Sequence, residues 1–163
     1  MACTISGPKT VYLTLTGASR EASYAMAIFI DPPVNLEFEP QCSISQCYGA
    51  VVELGAGTGF LGFKLARILS LRQLSLPAPS KRLILTDLEA VCPLLEQNRQ
   101  KVGLKTNLPG VDLVIRPLEW GNMDHAYRLA VERSPKGVPS ADALSHIVCS
   151  DVVSRCPSLR KSA

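Results

Sequence analysis

Histidine and tryptophan are scarce in this chain, with two of the first and one of the second in 163 residues. His125 and His146 are not spaced as a ligand pair, and no C-x-x-C occurs among the six cysteines. The closest two cysteines, Cys42 and Cys47, stand five apart, whereas zinc sites present tighter pairs backed by histidine. A zinc module is therefore not expected, and the thiols read as small buried hydrophobes. No apolar run approaches the roughly 20 residues that a membrane span needs. Met1 to Ser6 show no basic region followed by an apolar stretch, so no secretory signal is expected. A net charge of +3 lacks the dense basic patch of a nucleic-acid binder. No G-x-x-x-x-G-K-[ST] occurs, which excludes a nucleoside triphosphate loop of that type.

Hydrophobic residues at 47% against 19% charged exclude disorder throughout. A chain of this length fits one domain, burying roughly 70% of its unfolded surface. Twelve prolines and 11 glycines imply many turns around a few regular elements. The expectation is a soluble cytoplasmic protein, with the nucleus as a second compartment, of undetermined oligomeric state and with neither nucleic acid nor membrane as partner.

The chain divides into an N-terminal extension, 1–48, a ligand-binding region, 49–153, and an irregular tail, 154–163. In the extension, Thr10 to Thr16 alternates in the manner of a strand, and Ala18 to Ile30 reads as a helix ended by Asp31-Pro32-Pro33. Val34 to Cys47 reads as irregular. From residue 49 the pattern sharpens. Ala50-Val51-Val52-Glu53-Leu54 resembles a strand covered on both faces, and Leu61, Leu65, Ile68 and Leu69 then share one helical face. Arg82 to Asp87 is a second strand, followed by helical spacing of Leu88, Val91, Leu95, Asn98 and Val102, ended by Gly103. Val111 to Arg116 is a third strand, and Met123, Ala126, Tyr127, Ala130 and Val131 mark a third helix. His146 to Asp151 is a fourth strand ending in an acid. Four alternations of strand and helix predict an α/β fold with a parallel sheet.

The turn Glu53-Leu54-Gly55-Ala56-Gly57-Thr58-Gly59 between the first strand and its helix is the principal motif. Glycines let backbone turn sharply and approach a ligand, and ligands of open α/β sheets bind beyond the carboxyl ends of the strands. A dinucleotide fingerprint would put its third glycine at position 60, which is Phe60, so the spacing is G-x-G-x-G. An acid so near the turn would repel a pyrophosphate but suits a ligand carrying an ammonium or sulfonium charge. Asp87 could accept two hydrogen bonds from a ribose diol or cap the following helix. Trp120 offers a flat apolar surface for a nucleobase, or packs in the core.

Glu53-x-Gly55-x-Gly57-x-Gly59, Thr86-Asp87-Leu88, Leu94-Leu95-x-x-Asn98, Leu118-x-Trp120-Gly121 and the strand ending in Asp151 occur in that order. Over residues 49–153 this combination resembles the class I S-adenosylmethionine-dependent methyltransferases, with their Rossmann-like sheet. More narrowly, it resembles the protein-lysine methyltransferase group called family 16. The resemblance implies that Glu53, Gly55, Gly57 and Gly59 hold the methionine end of S-adenosyl-L-methionine and that Asp87 binds the ribose. It further implies that Leu88 and Trp120 lie against adenine and that Ser150 lines the pocket. Asp151 would stand at its mouth as the catalytic residue beside a protein substrate's lysine, or merely cap a turn.

The sequence departs from that pattern in two places. The family's fourth strand ends in D-x-x-Y, whereas Asp151-Val152-Val153-Ser154 has no tyrosine. Its sheet would also continue with further strands, so the reading is a fold incomplete after the fourth strand, through truncation, alternative splicing or a frame change after Val153. The fourth strand should then be an edge with unpaired backbone groups. The family also places a tryptophan-bearing helix ahead of the glycine strand, where it contacts the cofactor, and Ser23-Tyr24-Ala25-Met26-Ala27 is a loose substitute for it. Three functions compete: an active protein-lysine methyltransferase, a cofactor-binding but inactive isoform or fragment, and a nicotinamide-dependent oxidoreductase, against which the glycine spacing and Glu53 count.

Overall fold

The computed structural model describes residues 18–46, 49–73, 81–105, 107–132 and 144–150. The strand expected at Thr10 to Thr16, the candidate residue Asp151 and the tail lie outside these residues. Helix α1 spans Ala18–Ile30, a 3₁₀ turn follows at Ser43–Gln46, and then come β1 (Ala50–Leu54), α2 (Phe60–Gln73) and β2 (Lys81–Asp87). The chain continues through α3 (Cys92–Lys101), β3 (Asn107–Leu108), β4 (Val111–Pro117), α4 (Met123–Val131) and β5 (Leu144–Cys149). The sheet order is β3-β4-β2-β1-β5. β1, β2, β4 and β5 run parallel and only β3 is antiparallel. The α/β fold with a parallel sheet is thus the observed one.

Register determines which residues share a face. Val51 pairs with Leu83 and Glu53 with Leu85, while Leu83 pairs with Leu113. That face carries the main core, in which Val51, Leu83, Leu85 and Leu113 meet Leu61, Leu65 and Leu69 of α2 and Leu95 of α3. Ala27 and Ile30 of α1 belong to the same cluster. The opposite face presents Arg82, only 3% exposed, whose guanidinium donates to the Glu132 carbonyl (2.7 Å) and to Glu132 Oε1 (2.9 Å). Arg116 of β4 donates to the same carboxylate, from Nε to Oε2 at 2.6 Å. Because a buried guanidinium left unpaired is costly, these bonds fix the C-terminal end of α4 against β2 and β4.

Four details differ from the sequence reading. The helix after β2 begins at Cys92 rather than Leu88, since Pro93 suits only a first turn. The Asn107–Leu108 strand, paired with Val111 and Asp112 across Gly110 (φ 68°), was hidden in a stretch that reads as a turn. β5 starts at Leu144, where Ser145 Oγ donates to the Ala50 carbonyl at 2.9 Å beside a register shift. The apolar positions that mark α4 do not face the core: Met123, Tyr127 and Val131 are 77%, 69% and 53% exposed.

The three described cysteines are free thiols, as expected, but none is buried. Cys42 is half-buried against the core, while Cys92 (half-buried) and Cys149 (exposed) sit at the ends of α3 and β5. Among the described residues the outer edge of β5 has no strand partner, and Leu144 and Ile147 on it are 56% and 58% exposed.

Candidate functional site

The glycine turn is held by contacts from two neighbouring elements, β2 and α3. The Ala56 amide donates to the Thr86 carbonyl at 2.9 Å, and the Thr86 hydroxyl donates to the Glu53 carbonyl at 2.7 Å. The amide of Gly57 donates to Asp87 Oδ2 at 2.7 Å, and that of Leu88 to Oδ1 at 2.7 Å. From α3, Asn98 Nδ2 donates to the Thr58 carbonyl at 3.1 Å. The end of β4 joins through the Leu118 amide, 2.8 Å from the Asp87 carbonyl. The tips of β1, β2 and β4 therefore form one hydrogen-bonded rim.

The three motif glycines have left-handed φ values but do different things. A side chain at Gly55 or Gly57 would project into open space, with nothing nearer than the Gly55 carbonyl at 4.0 Å. Those two leave a backbone cradle facing solvent. At Gly59 a side chain would overlap the Phe63 ring, so this glycine permits close packing of turn on helix.

Glu53 lies beneath the cradle rather than in it. Its side chain is 2% exposed, and Oε2 has no hydrogen-bond partner among the described residues. Burial pushes its carboxyl up to about 8, opposed by the Gly62 amide that hydrogen-bonds it and reinforced by the Asp87 charge. Near neutral pH this acid is mostly protonated.

Asp87, half-buried at the end of β2, brings its carboxylate to the rim. Of its two sequence readings, capping of α3 is not realised, for α3 is preceded by Val91 without a side-chain cap. Leu88 follows Asp87, 44% exposed, and Trp120, past the end of β4, is 49% exposed and hence not a core residue. Trp120 lines a shallow groove of about 320 Å³ with Leu54, Leu118, Gly121, Met123 and Ala126. The Asn122 side chain accepts from the His125 amide at 3.1 Å and so starts α4 at this groove. Ser150, on the other flank, shares a 2.8 Å hydrogen bond with Ser23 of α1.

Asp87, Leu88, the glycine cradle and Trp120 thus stand along one rim, with Ser150 beyond β1 on the β5 side and Glu53 below. Sequence reasoning assigned no task to Asn98, Thr86 or Gly62. Asn98 and Thr86 lie in the quoted motifs, but their task emerges only when α3 and β1 are placed beside them. Gly62 carries no signal beyond being a glycine inside a helix. Among the described residues no group of three His, Cys, Asp or Glu could hold a metal ion.

A family model described as lysine methyltransferase matches residues 19–154. Comparison with curated proteins gives no match. Among solved structures, the chain is similar to a crystal structure of the O-methyltransferase TomG from Streptomyces achromogenes, involved in tomaymycin synthesis and in complex with SAM. The two are 16% identical, with a TM-score of 0.40, over 85% of this chain and 55% of that one. The chain thus spans little more than half the length of that enzyme.

Proposed function

Given that the chain belongs to the lysine methyltransferase family, which its residues 19–154 match, we propose that it binds S-adenosyl-L-methionine on the rim of β1, β2 and β4 and methylates a lysine of a protein substrate. The observation that carries the reading is the open cradle of Gly55 and Gly57, tied by the Gly57 amide to Asp87. A nucleoside needs a diol acceptor beside an unobstructed backbone, and this pair supplies both.

In this reading Asp87 keeps lone pairs for the ribose hydroxyls while its oxygens hold the Gly57 and Leu88 amides. Leu88 and Trp120 provide apolar surfaces for adenine. Gly55 and Gly57 let the methionyl portion lie against backbone, and Asn98 and Thr86 keep that backbone in place. Asp151, next in sequence to Ser150, is the proposed contact for the acceptor amine. When bound, S-adenosyl-L-methionine would supply an electrophilic methyl carbon to an amine whose ammonium proton has already passed to solvent, the C–S electron pair staying on sulfur as the C–N bond forms and a methylammonium results. The protein's task is alignment, which supplies much of the rate in such a displacement.

Calorimetric titration with S-adenosyl-L-methionine and with NAD tests the donor, and binding of the first alone is expected. Transfer of a radiolabelled methyl group into lysate proteins, followed by acid hydrolysis, should yield methyl-lysine. Label found only in methyl ethers or esters would sink the lysine assignment. The exposed apolar residues of β5 and α4 favour one second reading, a module that binds the donor without turnover. Tight binding with no transfer would select it.

A further inference from the structure

Helix α1 brings two side chains to the flank of the rim opposite Trp120. Ser23 Oγ lies 2.8 Å from Ser150 Oγ, at the end of β5. The next residue, Tyr24, sets its ring against Phe60, with centroids 4.4 Å apart and planes inclined at 45°. Phe60 opens α2 and directly follows Gly59, so the ring pair borders the glycine turn. Tyr24 is 47% exposed, and the anchoring of α1 in the core falls to Ala27 and Ile30. Phe60 packs partly against the core, whereas the Tyr24 ring is not accounted for by interior packing.

Direction follows from the sheet order. β2 and β4, which carry Asp87, Leu88 and the approach to Trp120, lie on one side of β1, and β5 lies on the other. A nucleoside with its ribose at Asp87 and its base toward Trp120 must extend its sulfur end past the glycine turn, toward β5. The acceptor then arrives where α1 meets β5. We propose that the Tyr24–Phe60 ring pair and the Ser23–Ser150 hydroxyls form the acceptor site, receiving a lysine side chain whose ammonium rests on ring faces while a hydroxyl accepts one of its N–H groups. This inference rests on the donor site proposed above. Ring faces attract ammonium groups, and apolar ring surface also suits the methylene stem. Before transfer the ammonium gives one proton to water, and the displacement then proceeds with the balance already described.

The test uses the full chain loaded with S-adenosylhomocysteine, titrated by NMR with N-acetyl-lysine methylamide and, as the uncharged control, N-acetyl-norleucine methylamide. The lysine compound should bind and the norleucine compound bind more weakly. Tyr24→Leu should weaken the lysine compound about three- to fivefold, the scale of one exposed ring–cation contact, with S-adenosylhomocysteine affinity unchanged. Tyr24→Phe, which keeps the ring, should bind the lysine compound as the parent does. Equal affinity of Tyr24→Leu and the parent for the lysine compound would overturn the proposal. So would a parallel loss of S-adenosylhomocysteine affinity, which would place Tyr24 in the donor site. If the parent binds S-adenosylhomocysteine but not the lysine compound, the acceptor site fails while the donor site stands. If S-adenosylhomocysteine itself does not bind, the underlying reading fails first and the acceptor site falls with it.

Discussion

The carboxyl of Glu53 occupies the space that a side chain at Gly62 would need. A methyl group on Gly62 would overlap Glu53 Oε2 and both δ-carbons of Leu85, while the Gly62 amide hydrogen-bonds that same carboxyl. One glycine in the first turn of α2 thus makes room for an acid at the end of β1, directly under the cradle.

Gly62→Ala should therefore destabilise the fold although alanine is the better helix former. Overpacking of this kind costs about 1–3 kcal/mol, against at most ~1 kcal/mol gained in helix propensity. Urea unfolding followed by circular dichroism measures the balance, and a stabilised variant would show that the carboxyl is not seated under α2.

Glu53 also predicts a pH dependence. Its folded-state value, about 8, lies above the ordinary 4.5, so the folded chain holds the proton while the unfolded chain releases it. Stability should be highest with respect to this group below about pH 4.5 and fall as pH rises toward 8, by up to about 1.4 kcal/mol per pH unit. Glu53→Gln should flatten that slope in thermal melts taken across the window. A slope unchanged in the variant would assign the effect to other groups.

The half-exposed ring of Trp120 makes Trp120→Ala a ligand variant more than a stability variant. The donor's dissociation constant should rise about tenfold, a loss of roughly 1.4 kcal/mol within the range of base stacking on an aromatic, with a smaller loss of fold stability. Trp120 is the sole tryptophan, so in the parent its fluorescence should change on donor binding. An unchanged dissociation constant in Trp120→Ala would remove the stacking role.

Glu132→Gln should loosen α4. Arg82 would remain buried with Asp112 Oδ2 at 3.8 Å as its nearest ion-pair partner. The loss should be about 2 kcal/mol, less than for a fully buried pair because Glu132 is partly solvated. The Arg116 guanidinium holds the Glu132 carboxyl below its ordinary 4.5, so its contribution is present above that pH and is lost as pH falls through the lowered value. Acid melts should therefore separate the parent from the variant less than neutral melts do.

Much of the fold was legible because local and global signals agreed. The helix Ala18–Ile30 has the bounds that its composition and Asp31-Pro32-Pro33 indicate, and the four parallel strands fall where short β-branched runs lie between glycine and proline turns. What stayed hidden depends on contacts distant in sequence. The rotation of α4 is set by Arg82, 50 residues before Glu132, so its apolar stripe misleads as to which side faces inward. The depth of Glu53 could not be read either, because it depends on Gly62 and Leu85 closing over it. Asp87 was legible as an acid closing the second strand, but not as the group that ties down Gly57.

That tie has a consequence for binding. Oδ2 of Asp87 stitches the glycine turn after β1 to the end of β2, so in the proposed reading an arriving nucleoside meets a preformed turn. Little chain entropy is left to lose there on complex formation, and the encounter rate should not wait on any rearrangement of the loop.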